Sequence, residues 1–186
     1  MGSVVGGHVL TWSFDSKRIL YSILAPPNIF AQEVDSAQPP ERLTNSTNSE
    51  TAVDWSLDGK YVLFAANSNE LSSKTRFDLW VLPMTGDRKP FPFLETPFRE
   101  RRGQFSPDGK WVAYESDESG HDEVYVESFP SRRAKWQVSS KGGGYVRWRR
   151  DRKELFYIAS DRKLMSVAVH TRREALSSER RVPYFP

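Results

Sequence analysis

The chain has 186 residues, of which 27 are Lys or Arg and 24 are Asp or Glu, so its formal net charge is only +3. A hydrophobic fraction of 38% and an aromatic fraction of 13% exclude a disordered chain. Because cysteine is absent, a disulfide scaffold, a cysteine-based zinc site and a thiol nucleophile are excluded as well. No apolar run reaches the ~20 residues of a membrane span, and we expect no signal peptide at Met1–Phe14.

Four similar ten-residue segments recur along the chain. Each begins with Trp or Phe, carries Asp at its fourth position and Lys at its sixth, and ends in Tyr or Phe. Their first residues lie 43, 50 and 43 positions apart. A period of ~40–45 residues is typical of four-stranded propeller blades. The segments are Trp12–Tyr21, Trp55–Phe64, Phe105–Tyr114 and Trp148–Tyr157.

Each segment contains a turn signal. In Ser106-Pro107-Asp108-Gly109, proline presets φ, Asp can bond nearby backbone, and Gly accepts the sterically demanding last position. Asp58-Gly59 repeats this signal, whereas Asp15-Ser16 and Asp151-Arg152 lack the glycine, so we expect looser turns there.

β-Favouring stretches surround these turns and give four strands to each repeat. The first strand of each repeat leads into the turn at Trp or Phe. The predicted second strands are Arg18–Ile23, Tyr61–Ala65, Trp111–Glu115 and Glu154–Ile158. The third strands, each opened by a polar residue, are Asn28–Val34, Asp78–Pro83, Glu123–Ser128 and Lys163–Val169. The fourth strands are Glu41–Thr44, Pro90–Leu94, Lys135–Ser139 and Arg181–Tyr184.

The predicted fold class is all-β, a β-propeller with four visible four-stranded antiparallel blades. We treat 1–186 as a single propeller domain. Since propeller sheets pack face to face, we expect the tryptophans to form the core between blades rather than a ligand site. The expected blades are 8–48, 49–98, 99–142 and 143–186. The tryptophans concerned are Trp12, Trp55, Trp111, Trp136 and Trp148.

The repeat pattern Trp-Ser-x-Asp-Gly-Lys-x-Val-x-Phe, followed by Asp78-Leu-Trp-Val81, resembles the WD40-like propeller repeat of the TolB type. Residues Thr96–Val169 resemble the carboxy-terminal propellers of bacterial eukaryotic-like serine/threonine kinases. The latter resemblance implies an interaction or sensor propeller joined to a kinase domain through a membrane helix, although this chain contains neither. The segments that carry it are Pro97–Lys110, Glu123–Val126, Lys135–Ser139 and Arg147–Asp151.

TolB-type propellers close with six blades, and only four are visible here. We therefore expect an arc or fragment of a larger propeller, with a closed four-bladed ring as the alternative. The end blades of an arc would expose apolar faces, so self-association through open blade edges is a further expectation.

Signatures of catalysis are missing from the sequence. There is no Gly-x-Ser-x-Gly elbow, no phosphate-binding Gly-Lys-Ser/Thr and no kinase His-Arg-Asp or Asp-Phe-Gly motif. The histidines His8, His121 and His170 lie in different repeats and lack the spacing of zinc ligands. We expect no catalytic residue, no metal and no cofactor in this chain.

Three loops are interpreted separately. The acidic run Asp117–Glu123 could offer oxygen ligands to Ca²⁺, but it lacks EF-hand spacing, so a solvated hairpin loop is the preferred reading. Gly142–Gly144 lies between strands without a following helix, which favours a turn over a phosphate cradle. The loop Asn67–Arg76 is the longest of its kind and accounts for most of the 50-residue spacing.

Positive charge is concentrated in the second half of the chain. Residues 1–93 carry 8 basic and 10 acidic groups, whereas residues 94–186 carry 19 and 14. Interspersed acidic residues argue against nucleic-acid binding. The connections between blades and the hairpins between second and third strands share one propeller face, where binding loops collect. A partner site is therefore expected to use Glu50, Arg99, Arg101, Arg102, Tyr145 and Arg147, unless these arginines merely pair with nearby carboxylates.

The predicted function is a non-catalytic interaction or sensor module that binds a protein or peptide, as part of a receptor-like serine/threonine kinase. The alternatives are the gating propeller of a prolyl-oligopeptidase-type peptidase and a TolB-like periplasmic assembly protein. We expect no nucleic-acid partner and no membrane contact by this chain. Its compartment stays open, because the absence of cysteine suits both cytoplasm and periplasm.

Overall fold

The computed structural model describes residues 8–24, 27–67, 77–172 and 175–183, without the side chains of 8–10, 24, 170–172 and 175–183. These ranges contain sixteen β-strands in four four-stranded antiparallel sheets, each with its strands in chain order. They contain no helix, and therefore none long and apolar enough to cross a membrane. The predicted all-β class and the four sheets are confirmed. The chain divides into two compact units, Met1–Pro97 and Phe98–Pro186, each containing two sheets.

The first sheet opens unit 1 and follows the predicted hairpin pattern. Tyr21 on its second strand pairs with Phe30 on its third, and their rings stack with centroids 5.9 Å apart. Its strands are β1 His8–Trp12, β2 Arg18–Leu24, β3 Pro27–Glu33 and β4 Glu41–Arg42.

The second sheet completes unit 1. Its central strand is apolar and buried from Val62 to Ala66, as expected for a sheet covered on both faces. Its strands are β5 Ser49–Trp55, β6 Tyr61–Asn67, β7 Asp78–Pro83 and β8 Phe91–Leu94. The predicted long loop 67–76 lies outside the described residues beyond Asn67.

The third sheet opens unit 2, and every residue of its second strand is buried, including the carboxylate of Glu115. Its strands are β9 Glu100–Phe105, β10 Trp111–Ser116, β11 Glu123–Ser128 and β12 Lys135–Gln137. The acidic run Asp117–Glu123 connects β10 to β11, so its predicted position between the second and third strands is confirmed.

The fourth sheet ends in a longer hairpin than the sequence predicted. The expected last strand, Arg181–Tyr184, begins instead at Ala175, because antiparallel pairing extends from Met165 and Pro183 to Arg172 and Ala175, with one register shift after Val167. Tyr184 lies outside the described residues. The strands are β13 Gly143–Trp148, β14 Glu154–Ala159, β15 Leu164–Arg172 and β16 Ala175–Pro183.

Side-chain hydrogen bonds explain the Ser and Asp that three of the four repeats carry in the turn; the fourth has Arg149 in place of Ser. Ser106 Oγ donates to the Asp108 carboxylate at 2.6 Å and accepts the Trp111 backbone N–H at 3.0 Å. The Asp108 carboxylate also accepts the Lys110 backbone N–H at 3.2 Å. These bonds give partners to backbone N–H groups that the tight turn would otherwise leave to solvent.

The turns without glycine are as tight as the others, so our expectation of looser turns was wrong. The fourth and last turn residue has φ of +57° to +72° in all four repeats. Its backbone N–H donates in each case to the carbonyl three residues earlier at 2.8–2.9 Å. The flanking strands impose this geometry on the chain even where a side chain makes it costly. These turn residues are Ser16, Gly59, Gly109 and Arg152.

The tryptophan prediction holds for most positions but not for the first. Trp55 is buried in the core of unit 1, and Trp111 and Trp148 are buried in the core of unit 2. Trp136 is partly buried and packs edge-to-face on Trp111, with ring centroids 5.0 Å apart. Trp12 is 53% exposed, because it lies in the first sheet and none of the described residues forms an earlier sheet to cover it.

Candidate functional site

A buried carboxylate anchors the most distinctive polar cluster in unit 2. Glu115 on β10 is 1% exposed and pairs in register with Arg101 on β9. Its Oε2 accepts from Arg101 Nε at 3.2 Å and from Arg102 Nη1 at 2.7 Å, while its Oε1 accepts the backbone N–H of Tyr145. One carboxylate thus holds two guanidinium groups and the neighbouring sheet in a fixed arrangement.

Two β-bulges bring Arg102 and Tyr145 together above Glu115. The register of β9 shifts at Arg102, and that of β13 shifts at Tyr145. Both residues have positive φ, 50° and 57°, which is uncommon for residues other than glycine. Since a bulge redirects the side chain it carries, the Arg102 guanidinium lies over the Tyr145 ring, 4.2 Å from its centroid. Tyr145 is 58% exposed and Arg102 is partly exposed, so the pair forms a surface feature.

The glycine run before Tyr145 lets β13 approach this cluster closely. A Cβ on Gly144 would lie 2.8 Å from Glu115 Oε1, and one on Gly143 would lie 2.7 Å from Ser139 Oγ. Only Gly142 has the positive φ of a turn, so the turn predicted for the run is confined to its first residue. The other two glycines are needed for close packing between strands.

Beside the pair lies an open cavity of about 520 Å³. Backbone and small residues of Gly142–Gly144 and Ala159–Ser160 form part of its wall. Four permanent cations face two carboxylates in its lining, so the cavity has a net positive charge. Its permanently charged lining residues are Arg101, Arg102, Glu115, Asp122, Lys141 and Arg162.

The acidic loop contributes to this region through ion pairs. The Asp122 carboxylate contacts Arg99 Nη2 at 3.1 Å and Arg101 Nη2 at 2.5 Å. His121 Nε2 lies 2.8 Å from the Glu123 carboxylate, and Glu118 pairs with Lys135. Within the described ranges, no three His, Cys, Asp or Glu side chains converge as metal ligands would.

Only some of the predicted site residues line the unit 2 cavity. Arg101, Arg102 and Tyr145 line the cavity together. Arg99 adjoins them through Asp122, and its backbone N–H donates to Asp117 at 2.9 Å. Arg147 is exposed, does not line this cavity, and donates from Nη1 to the carbonyl of its neighbour Val146 at 2.8 Å.

Glu50 belongs to unit 1 and is buried rather than presented on a surface. Its carboxylate accepts the hydroxyl hydrogen of Thr44, whose Oγ1 also accepts the Ile29 backbone N–H at 3.0 Å. Burial raises the pKa of Glu50, and the hydrogen bonds from Thr44 and Ser46 oppose the rise. The residue therefore stabilises the connection between the first two sheets.

Sequence reasoning missed Glu115, Lys141 and Arg162. A signal for Glu115 existed, because a carboxylate within an otherwise apolar predicted strand needs a buried cationic partner. Lys141 and Arg162 gave no signal, since each stands in an ordinary polar connection and only the fold brings them to one cavity.

Comparison with solved structures shows that the fold is that of a β-propeller, similar to the propellers of TolB proteins. The chain is similar to TolB from Acinetobacter baumannii, with 17% identity and a TM-score of 0.70 over 93% of this chain and 43% of that one. A structure described as a TolB of Agrobacterium tumefaciens has 10% identity and a TM-score of 0.56, over 96% of this chain and 82% of that one. A prolyl endopeptidase has 15% identity and a TM-score of 0.59, over 93% of this chain and 28% of that one.

These likenesses concern the fold alone, because their identities are low. No family model matches the chain, and no curated protein does. The chain spans less than half the length of the Acinetobacter TolB that it matches, in agreement with the prediction of a partial propeller. Since one fold serves both TolB and an endopeptidase, function has to be argued from the site.

Proposed function

We propose that this chain is a non-catalytic propeller module that binds a protein or peptide partner at the cavity of unit 2. The observation that carries the proposal is the stack of Arg102 on the exposed ring of Tyr145, held over the buried carboxylate of Glu115. Tyr and Arg are the residues most enriched in the energetic centres of protein interfaces.

The cost of the arrangement supports a binding role. Each of two non-glycine residues, Arg102 and Tyr145, occupies the left-handed region at a cost of about 1 kcal/mol. Neither gains burial from it, because Tyr145 is mostly exposed and Arg102 partly so. What the two bulges achieve is a prearranged aromatic and cationic surface, which lowers the entropy lost on binding.

Among the described residues that line the cavity, no pairing is suited to nucleophilic catalysis. The Ser160 hydroxyl donates to the Lys141 carbonyl at 2.6 Å, and His121 faces the buried Glu123 carboxylate. A nucleophile needs a base within hydrogen-bond reach, and neither contact supplies that combination. We expect peptidase and kinase assays on this chain to detect no turnover, and turnover in either would contradict the non-catalytic part of the proposal.

For the parent protein we propose a receptor-like serine/threonine kinase whose sensor portion is this propeller. The support is the sequence resemblance of Thr96–Val169. A kinase domain and a membrane helix encoded upstream in the gene would agree with it. A hydrolase domain encoded downstream would favour instead a gate of the prolyl-oligopeptidase type, to which the endopeptidase likeness lends support. A secretion signal without either domain would favour a TolB-like periplasmic assembly protein.

The partner-binding proposal is tested by screening an immobilised random peptide library with the wild-type chain and with Tyr145→Gly. Glycine keeps the positive φ and the backbone N–H that binds Glu115, so only the ring is lost. Peptides selected by the wild type should bind Tyr145→Gly at least about tenfold more weakly. Tyr145→Phe, which retains the ring, is the matched control and should bind nearly as the wild type does. Equal binding by the glycine variant contradicts the proposal.

A further inference from the structure

We infer that the ligand of the unit 2 cavity is a peptide segment bearing acidic side chains, and that Lys141 and Arg162 are its specificity-determining residues. The inference rests on the proposed function, since it assigns a ligand chemistry to the same site.

The first support is that Lys141 and Arg162 have no described ion-pair partner, unlike the two arginines beside them. Arg101 and Arg102 are already tethered by Glu115, and Arg101 by Asp122 as well. Lys141 and Arg162 also line the cavity, yet neither has an ion-pair partner among the residues that the structure describes. A concave surface with two uncommitted cations attracts carboxylates more strongly than a flat one does.

The second support is how firmly these two residues are placed. Arg162 occupies the tight turn between β14 and β15 with φ of +69°, and its backbone N–H donates to the Ala159 carbonyl at 2.9 Å. The Ser160 hydroxyl in the same turn donates to the Lys141 carbonyl at 2.6 Å. The Ser160 hydroxyl thereby links the backbone at Lys141 to the turn that carries Arg162, at one side of the cavity.

The third support is the capacity left on Arg102. Its guanidinium donates from Nη1 to Glu115 and from Nη2 to Tyr145 Oη, at 2.7 and 3.4 Å. A guanidinium has more N–H groups than these two contacts use, and it recognises carboxylates in a fixed planar geometry. An acidic side chain in the cavity can therefore meet Arg102 while an adjacent group packs on the Tyr145 ring.

The lining fits a peptide better than a nucleic acid. Its volume of about 520 Å³ lies within the ordinary range of ligand pockets. Glu115 and Asp122 interrupt the positive surface, and Tyr145 offers one aromatic face instead of the series on which successive bases stack.

Fluorescence anisotropy with the full chain and a fluorescein-labelled peptide of alternating Gly and Glu tests the inference. Four other probes are compared with this Glu peptide: the same peptide with Gln, with Lys or with phosphoserine in place of Glu, and an oligo-dT of similar length. We expect the Glu peptide to bind at least about tenfold more tightly than the Gln peptide, and more weakly as salt rises. The double substitution Lys141→Ala with Arg162→Gly should weaken its binding about tenfold.

The matched control is Arg150→Ala with Lys153→Ala, which removes the same charge from two exposed residues of the turn between β13 and β14 that do not line the cavity. It should change the affinity for the Glu peptide less than about twofold. An equal loss in both double variants overturns the inference, because it would reflect net charge alone. The inference is also overturned if the Gln peptide, the Lys peptide or the oligo-dT binds more tightly than the Glu peptide. Binding of the phosphoserine peptide without binding of the Glu peptide overturns it too, as does the failure of every probe to bind.

Failure of this inference differs from failure of the proposed function. If library peptides without acidic residues bind and are lost with Tyr145→Gly, the site is real and its ligand is not acidic. If Tyr145→Gly leaves the binding of every selected peptide unchanged, the proposed function itself fails.

Discussion

Trp12 and Trp55 occupy the same position in successive repeats, yet the Trp12 side chain is largely exposed and that of Trp55 is buried. Trp55 packs with Leu20 and other core residues of unit 1, and its Nε1 donates to the Gly59 carbonyl at 3.3 Å. The Arg18 guanidinium also lies 5.5 Å from the centroid of its ring. The same residue in the same repeat position therefore has two different energetic roles.

We predict that Trp55→Ala lowers the free energy of unfolding by about 3–5 kcal/mol, because it removes a buried indole and leaves a cavity. Trp12→Ala should lower it by only about 1 kcal/mol, because much of that side chain already contacts solvent. Urea unfolding followed by far-ultraviolet circular dichroism measures both. Equal losses would mean that Trp12 is covered in solution.

The difference between these tryptophans also indicates what sequence can predict. The turn and the strands around it depend on contacts within about six residues, such as those of Ser106 with Asp108 and Trp111, so the repeat pattern located them. Burial of a repeat residue depends on the adjacent sheet, which the pattern does not contain. For the same reason the sequence placed Arg101 and Arg102 side by side, whereas it gave no sign that Lys141 and Arg162, which lie in separate loops, line the same cavity.

The turn of the first repeat should become more stable when its serine is replaced by glycine. Ser16 has φ of +57°, a conformation that disfavours a side chain by about 1 kcal/mol. Because glycine also loses more entropy on folding, the net gain expected for Ser16→Gly is about 0.5 kcal/mol. Gly59→Ala, the reverse change at the equivalent position, should cost about 1 kcal/mol. Thermal melting of the two variants checks the opposite signs, and shifts in the same direction would contradict the prediction.

A side chain at Gly144 should destabilise the fold while Glu115 is in place. A Cβ there would lie 2.8 Å from Glu115 Oε1, and that carboxylate cannot move freely because Arg101, Arg102 and the Tyr145 N–H hold it. We predict that Gly144→Ala lowers the free energy of unfolding by about 1–3 kcal/mol.

A double-mutant cycle provides the control for this substitution. In the background Glu115→Ala, the same change at Gly144 meets no carboxylate and should cost clearly less. Equal costs in the two backgrounds, measured by urea unfolding, would show that the close approach of β13 to Glu115 is not what constrains this position.

The raised pKa of Glu50 leads us to predict that this group makes the chain less stable as the pH rises. Burial raises the pKa of this carboxyl above its ordinary value of 4.5, against the opposing hydrogen bonds from Thr44 and Ser46. The folded chain therefore keeps this proton to a higher pH than the unfolded chain does. As pH rises from about 4.5 through the folded pKa, the unfolded state binds fewer protons than the folded state, and this group lowers the free energy of unfolding.

Glu50→Gln removes this titration and keeps an oxygen that can accept from Thr44. The free energy of unfolding of the variant minus that of the wild type should therefore be larger near pH 7 than near pH 4, when both are measured in urea. Gln38→Ala, at an exposed residue of the same unit, is the control; it removes no titratable group, so its difference should be nearly the same at the two pH values. If Glu50→Gln instead gains less near pH 7 than near pH 4, the carboxylate is stabilised where it lies, and the folded chain prefers it ionised.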